Sequence, residues 1–260
     1  MKQRIITAVI ALLALMLVLF YVPSEVALAI IVIVLLAGAW EWSAFLGTQG
    51  NATRAVYVVI IAALIAAVSY LDVDSVLIFK VSLVSWVAAL VWTFFFPTPI
   101  PAAVRWLSGV LVLVPLYLAL VILYNTAPGL LLFALLIVWV ADTGAYFVGR
   151  FLGRVKLAPE ISPGKTWEGV IGGLVAVVFL VFLRSVWVET NLTVLIPFCL
   201  AVACLSVVGD LTVSMFKRTA GVKDSGSLFP GHGGVLDRID SVAAAAPLFA
   251  LGISWVGLSW

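Results

Sequence analysis

An all-α, polytopic integral membrane protein is the architecture expected of this chain, on three observations. Its 260 residues are 65% hydrophobic and only 10% charged. Its mean hydropathy is +1.29. Its apolar runs are long enough to cross roughly 30 Å of hydrocarbon at about 1.5 Å per helical residue. That balance excludes a soluble core.

Nine membrane spans account for the hydropathy, at about residues 5–22, 25–42, 55–71, 75–96, 103–123, 129–149, 169–188, 192–213 and 241–258. The first follows Lys2 and Arg4, and Phe20, Tyr21, Val22 and Pro23 offer no small-x-small cleavage site. A retained helix is therefore expected there. Pro115 and Pro247 fall inside spans and are expected to kink them, which neighbouring helices accommodate. With the amino terminus in the cytosol, 12 of the 14 Lys and Arg residues lie on one side, leaving Lys80 and Arg184. The short outer connections carry Glu25, Asp72, Asp74 and Glu189 instead, so the positive-inside rule selects this orientation and an outward carboxyl terminus. The inner (cytoplasmic) membrane of a cell is the expected location. Residues 1–100 read as amino-terminal helices and 101–260 as a catalytic region, with two cytosolic loops at 150–168 and 214–240. Cys199 and Cys204 lie in one apolar stretch and imply neither a disulfide framework nor a metal. One histidine and no paired cysteines exclude a zinc site of the usual ligands.

The charge is concentrated. Two windows, 142–168 and 210–240, hold 15 of the 26 charged residues, and charges of both signs beside a bilayer call for a chemical reason. Asp142 lies about seven residues before the inner end of the sixth span, roughly 10 Å deep by helical rise. Asp210 occupies a similar depth in the eighth. Both stand near helix carboxyl termini, whose negative ends favour cations, and carboxylates with water are what Mg²⁺ takes, completed by substrate phosphate oxygens. A buried acid paired with Lys or Arg is the alternative reading of either residue alone.

The segment KLAPEISPGKTWEG leads into the seventh span, where helix N–H groups favour anions. Ser162 and Pro163 are expected to form its cap and first turn. Gly164, Lys165 and Thr166 echo the end of a Walker loop, but Pro159 replaces the glycine it needs and no strand is expected before it, so a Walker site is rejected. Phosphate contact by Ser162, Lys165 or Thr166 remains an expectation, beside simple capping. In the second loop, Gly231, Gly233 and Gly234 flank His232 and would let backbone approach a phosphate closely. Lys217 and Arg218 have positive-inside anchoring as their alternative reading, and Asp237, Arg238 and Asp240 precede the last helix, where acids are favourable without any ligand.

The stretch SMFKRTAGVKDSGSLFPGHGGVLDRID closely resembles the signature of phosphatidate cytidylyltransferases, also called CDP-diacylglycerol synthases. ADTGAYFVGR and KLAPEISPGKTWEG are similar to a second block of that family. The resemblance covers 142–240 well and the first 100 residues only by hydropathy. It implies a membrane enzyme joining CTP to phosphatidate, giving CDP-diacylglycerol and pyrophosphate with Mg²⁺, and K⁺ as a second candidate ion. By motif position it implies Asp210 and Asp237 as metal-binding acids. It places Lys217, Arg218, Lys223, Asp224 and His232 along the nucleotide and phosphate site. Arg238 is a further candidate for substrate contact, and Asp142 and Asp240 are additional candidates for the metal. A homodimer is expected by the same resemblance, and no nucleic-acid partner is.

The charge pattern suits that reaction. A phosphate monoester carries about −1.5 to −2 charge near neutral pH, so the lipid needs no strong general base to act as nucleophile. The difficulty is bringing it to an anionic triphosphate, which calls for cations and in-line positioning. A cytidylyltransferase for another lipid phosphate is the nearest alternative. An ion-coupled transporter is less favoured, because its acids should lie near the membrane midplane. A structural subunit would not explain the mixed-charge island, and the D-G-x-x-A-R block of CDP-alcohol phosphotransferases is missing.

Overall fold

A computed structural model describes the backbone of residues 2–47, 50–71, 73–226 and 233–256. Among them are helices α1 (Lys2–Phe20), α2 (Ser24–Trp42), α3 (Asn51–Tyr70), α4 (Ser75–Thr93), α5 (Ala102–Thr126), α6 (Pro128–Leu152), α7 (Trp167–Ser185), α8 (Leu192–Thr219) and α9 (Leu236–Val256). Seven of these, α2 to α8, are long and apolar enough to cross a membrane. A short 3₁₀ turn, Ser43–Leu46, follows α2. The strictly helical expectation is corrected by one antiparallel hairpin between α6 and α7, β1 (Lys156–Ala158) with β2 (Ser162–Thr166).

Local chemistry explains several helix starts. The Asp74 carboxylate accepts from the N–H groups of Val76 and Leu77, at 2.9 and 3.3 Å, and so caps α4. Asn191 caps α8 through Thr193 N–H at 3.1 Å. At α7 the cap is Thr166, whose hydroxyl accepts from Gly169 N–H at 3.1 Å. This overturns the Ser162–Pro163 expectation. Those two residues are drawn into β2, where Ser162 faces Ala158, so the helix can begin only after the strand ends. The strand absent from the Walker comparison therefore exists, but as half of a hairpin, and Pro159 still stands where the glycine is needed.

The long connection is also shorter than its 214–240 expectation. Residues 214–219 continue α8 and 236–240 begin α9, leaving 220–235 between them. Hydropathy marks where apolar sequence stops, whereas a helix continues wherever its polar side chains find partners, as Ser214 and Lys217 do here. Pro197 lies within α8, a third intrahelical proline beside Pro115 and Pro247.

Outward faces are apolar. On α7, Ile171, Val175, Phe179 and Phe182 are all exposed and recur every three or four residues, one stripe of a helix surface suited to acyl chains. Inward, a continuous core runs from Leu19 through Leu113, Ile137 and Val202 to Leu251. Where helices meet most closely, glycine removes the obstruction. A Cβ at Gly173 would lie 2.5 Å from the Ala141 carbonyl oxygen, and one at Gly169 would lie 2.8 Å from that of Ala145. At Gly172 it would overlap Val148. The α6–α7 seam is therefore backbone against backbone, the arrangement that binds helices together when lipid offers no hydrophobic gradient. Gly209 does the same for α8 and α9, since its Cβ would come 2.5 Å from the Asp240 carbonyl oxygen.

Replacing Gly173 with valine should cost roughly 1–3 kcal/mol, because the obstructing atom belongs to main chain and cannot rotate away. A lowered unfolding midpoint in detergent is expected. Gly164→Ala, whose Cβ would meet no atom within 4 Å, should leave the midpoint unchanged.

Candidate active site

Asp210, Ser214 and Lys217 occupy positions i, i+4 and i+7 of α8, and so share one face of that helix. The partners of that face come from β2 at one end and from α9 at the other. Lys165, the penultimate residue of β2, sends its ammonium back to Asp210 Oδ2 at 2.6 Å. Ser214 Oγ donates to Asp210 Oδ1 at 3.2 Å. Lys217, only 8% exposed, pairs with Asp237 Oδ1 at 2.7 Å and stands 4.0 Å from Asp240 Oδ2. Two lysines from different parts of the chain thus interleave with three aspartates.

Asp142 joins the same group from α6. Its carboxylate accepts from the Ser241 hydroxyl and lies close enough to Asp210 and Lys165 for their charges to act on one another. Asp240 is buried and accepts from Ser241 N–H at 2.8 Å while also feeling the charges of Asp210 and Lys217. Asp142 and Asp210 thus belong to one group of interacting charges. Among the described residues no three acids converge tightly enough to enclose an ion by themselves.

The remaining expected residues divide by what they touch. Asp237 is heavily committed: besides Lys217, its Oδ2 accepts from Ser225 N–H and Gly234 N–H, each at 2.9 Å. Arg218 donates through Nε to the Ile161 carbonyl oxygen at 3.1 Å and through Nη1 to that of Val222 at 3.4 Å, so it ties the hairpin to the start of the connection. Thr166 is 3% exposed and is spent on its cap. Ser162 is half-buried at the hairpin turn, while Lys223, Asp224 and Arg238 are exposed. His232 and its neighbours 227–231 lie outside the described residues, as does Asp72. Glu168 accepts from the N–H groups of Arg154 and Val155, at 3.1 and 3.2 Å, and so fixes where β1 leaves α6.

One residue of this region is not among the sequence-based candidates. Glu41, the penultimate residue of α2, is 8% exposed. Its Oε1 accepts from Val235 N–H at 2.9 Å, and its Oε2 accepts from Leu236 N–H and Ser225 Oγ, both at 2.8 Å. The only sequence signal was an acid at the end of an apolar run without a basic neighbour. Next to it, Trp42 packs on Phe216 of α8 with ring centroids 5.0 Å apart and donates through Nε1 to the Arg105 carbonyl oxygen at 2.9 Å.

A helix bundle with lipid-suited flanks, carrying lysine–aspartate pairs and a glycine-bordered connection at one end, is an integral membrane protein equipped to handle anionic groups beside a bilayer. The chain belongs to the Cytidylyltransferase family, whose sequence profile matches residues 2–256. It is similar to the phosphatidate cytidylyltransferase of Pseudomonas aeruginosa, 41% identical over 260 residues that cover 96% of each chain. The protein of the same name from Haemophilus influenzae is 38% identical over 284 aligned residues, 96% of this chain and 97% of that one. A third, from Staphylococcus aureus strain COL, is 49% identical over 120 residues, 45% of this chain and 46% of its own. The resemblance first read in 142–240 thus extends through the amino-terminal helices as well.

The two lysines should respond differently to truncation. Lys217→Ala leaves Asp237 and Asp240 without a cation in a buried setting and is expected to cost about 3–5 kcal/mol, read as a large fall in unfolding midpoint. Lys165→Ala should hardly move that midpoint, because the Lys165 and Asp210 side chains are 24% and 28% exposed.

Proposed function

We propose that this protein transfers the cytidylyl group of CTP to phosphatidate, giving CDP-diacylglycerol and pyrophosphate. The observation that carries this reading is the interleaved cluster of Lys165, Asp210, Lys217, Asp237 and Asp240, built from the two blocks that resemble the family's own. The family membership and the printed names of full-length relatives support it.

In the reaction, a phosphate oxygen of phosphatidate forms a bond to the α-phosphorus of CTP while the bond from that phosphorus to the bridging oxygen of the β-phosphate breaks. Pyrophosphate leaves with the electron pair. The lipid phosphate is anionic at neutral pH and attacks without a side-chain base, so His232 is not required as one. What the protein supplies is charge and placement. Lys165 sits on a hairpin tip and is partly exposed, which lets its ammonium meet triphosphate oxygens. Exposed Lys223 and Arg238, with Lys217 and Arg218 behind them, add positive charge where pyrophosphate develops. Asp224 and His232 belong to the nucleotide end of the same loop in this reading, and Ser162 lies on the phosphate side of the hairpin, which the buried Thr166 joins to α7.

Hard carboxylate oxygens in this cluster fit Mg²⁺ of the kind completed by water and phosphate. Asp210, which keeps open lone pairs beside its Lys165 and Ser214 contacts, would hold it with Asp237, and Asp142 and Asp240 are the acids placed to assist. Bound there, the ion would offset triphosphate charge, and K⁺ is a second candidate nearby. The proposal further includes nine spans, a cytosolic amino terminus, a site on the cytosolic face of the inner membrane, lateral entry of the lipid between helices, and a homodimer. Twelve of 14 basic residues on one side support the orientation.

Purified protein in mixed micelles with Mg²⁺, CTP labelled at the α-phosphate and phosphatidate should move label into the lipid phase. Transfer only with a different lipid phosphate would assign it to the neighbouring enzyme class, and uptake of solute by proteoliposomes without nucleotide turnover would make it a transporter. Asp210→Asn, correctly folded, should lower turnover by at least about a hundredfold, on the scale of losing one charge-stabilising group. Full turnover in that variant would refute the role given to Asp210.

A further inference from the structure

The connection between α8 and α9 is held at its neck by two carboxylates of separate origin. One is local: Asp237 Oδ2 gathers Ser225 N–H from the first side of the loop and Gly234 N–H from the second. The other is Glu41, which comes from α2 and lies between 184 and 195 positions away in sequence from the groups it binds. It takes Ser225 through its hydroxyl and the N–H groups of Val235 and Leu236 on the opposite side. Every donor to Glu41 is neutral, and among the described residues no cation pairs with it.

Those two N–H groups stand at the start of α9, where helix donors lack carbonyl partners and positive dipole charge collects. A carboxylate from another helix therefore caps α9. The surroundings are shaped around it. A Cβ at Gly226 would overlap Glu41 Oε1, and one at Gly234 would overlap Glu41 Oε2 and Ser225 Oγ. Gly38, one turn earlier on α2, lets that helix approach Ile239 of α9, where its Cβ would lie 3.3 Å from the Ile239 Cδ1. Trp42 on Phe216 fixes α2 against the last turns of α8. Both helices that flank the loop are thus referenced to the end of α2.

We propose that Glu41 is a positioning residue for the nucleotide-binding loop, closing the neck at Ser225 and Val235–Leu236 so that Lys223, Asp224 and Asp237 face the reacting phosphates in register with Lys217. This rests on the cytidylyltransferase reading of the same site. Glu41 touches neither substrate. Its effect passes through the loop that receives CTP, while the lipid enters between helices.

Glu41→Gln keeps size and shape but replaces one acceptor oxygen by a donor NH₂, which must confront an N–H or a hydroxyl already pointing at it. Ser225→Ala removes one donor and leaves the carboxylate intact. Both are to be made in the full chain, purified in detergent, and compared with wild type in two measurements. In hydrogen exchange, peptides covering 222–226 and 233–240 should exchange at least about tenfold faster in Glu41→Gln, on the scale of a lost hydrogen bond to a charged group, and less so in Ser225→Ala. In kinetics, KM for CTP should rise about tenfold in Glu41→Gln and a few-fold in Ser225→Ala, with KM for phosphatidate within about twofold of wild type. A residue that merely kept the bundle folded would reduce the number of active molecules, lowering kcat and leaving both KM values unmoved, and that outcome overturns the proposal. So does unchanged exchange at the neck in both variants. If Glu41→Gln does not fold, Ser225→Ala decides by the same two readings. Failure of the wild type to transfer label from CTP would instead overturn the functional reading, while the exchange measurement would still test the brace.

Discussion

Compensation of charge next to hydrocarbon is the constraint on which this structure turns. An isolated carboxylate there is costly, and several kept together repel one another. The protein meets this by interleaving, with Lys165 against Asp210 and Lys217 between Asp237 and Asp240. The two pairs are not equivalent. The inner one is buried, and losing its lysine would strand two acids. The outer one is partly exposed, so water screens it and losing one partner costs less. The cluster is therefore graded, from a fixed buried pair to a partly exposed one.

Glycine provides the geometry for that compensation. Lys165 reaches Asp210 because α6 and α7 touch along Gly169, Gly172 and Gly173, with the hairpin pinned above them by Glu168 and Arg218. Lys217 reaches Asp237 and Asp240 because Gly209 lets α8 lie against the backbone of α9. In a lipid environment these close approaches bind helices together without a hydrophobic gradient, and here they also set the distance between opposite charges. Packing and electrostatics are therefore one arrangement at this end of the bundle.

Parts of this were legible in sequence and parts were not, and particular residues show why. The depth of Asp142 and Asp210 could be read from helical rise, but Ser214 and Lys217 fall in what the sequence presents as a loop, so the face they share with Asp210 became visible only when α8 was seen to run to Thr219. The hairpin was missed because KLAPEISPGKT has the proline, glycine and serine of an irregular loop, and its strand pairing is fixed by contacts with α6 and α8. The cap on α7 moved from Ser162 to Thr166 for the same reason. Glu41 was invisible because nothing near it in the chain binds it. Its donors, two main-chain N–H groups and the Ser225 hydroxyl, lie 184 to 195 positions away.

Sequence alone determined that the chain is a multi-helix membrane protein, where its charge is concentrated and which family signature that charge composes, since these depend on composition and local periodicity. The tertiary structure decided which lysine neutralises which aspartate, that Asp237 and Arg218 also tie loops together, and that a helix outside the signature caps the start of α9. Pairing of that kind depends on distances between elements remote in the chain, and those distances follow from how closely glycine lets helices approach.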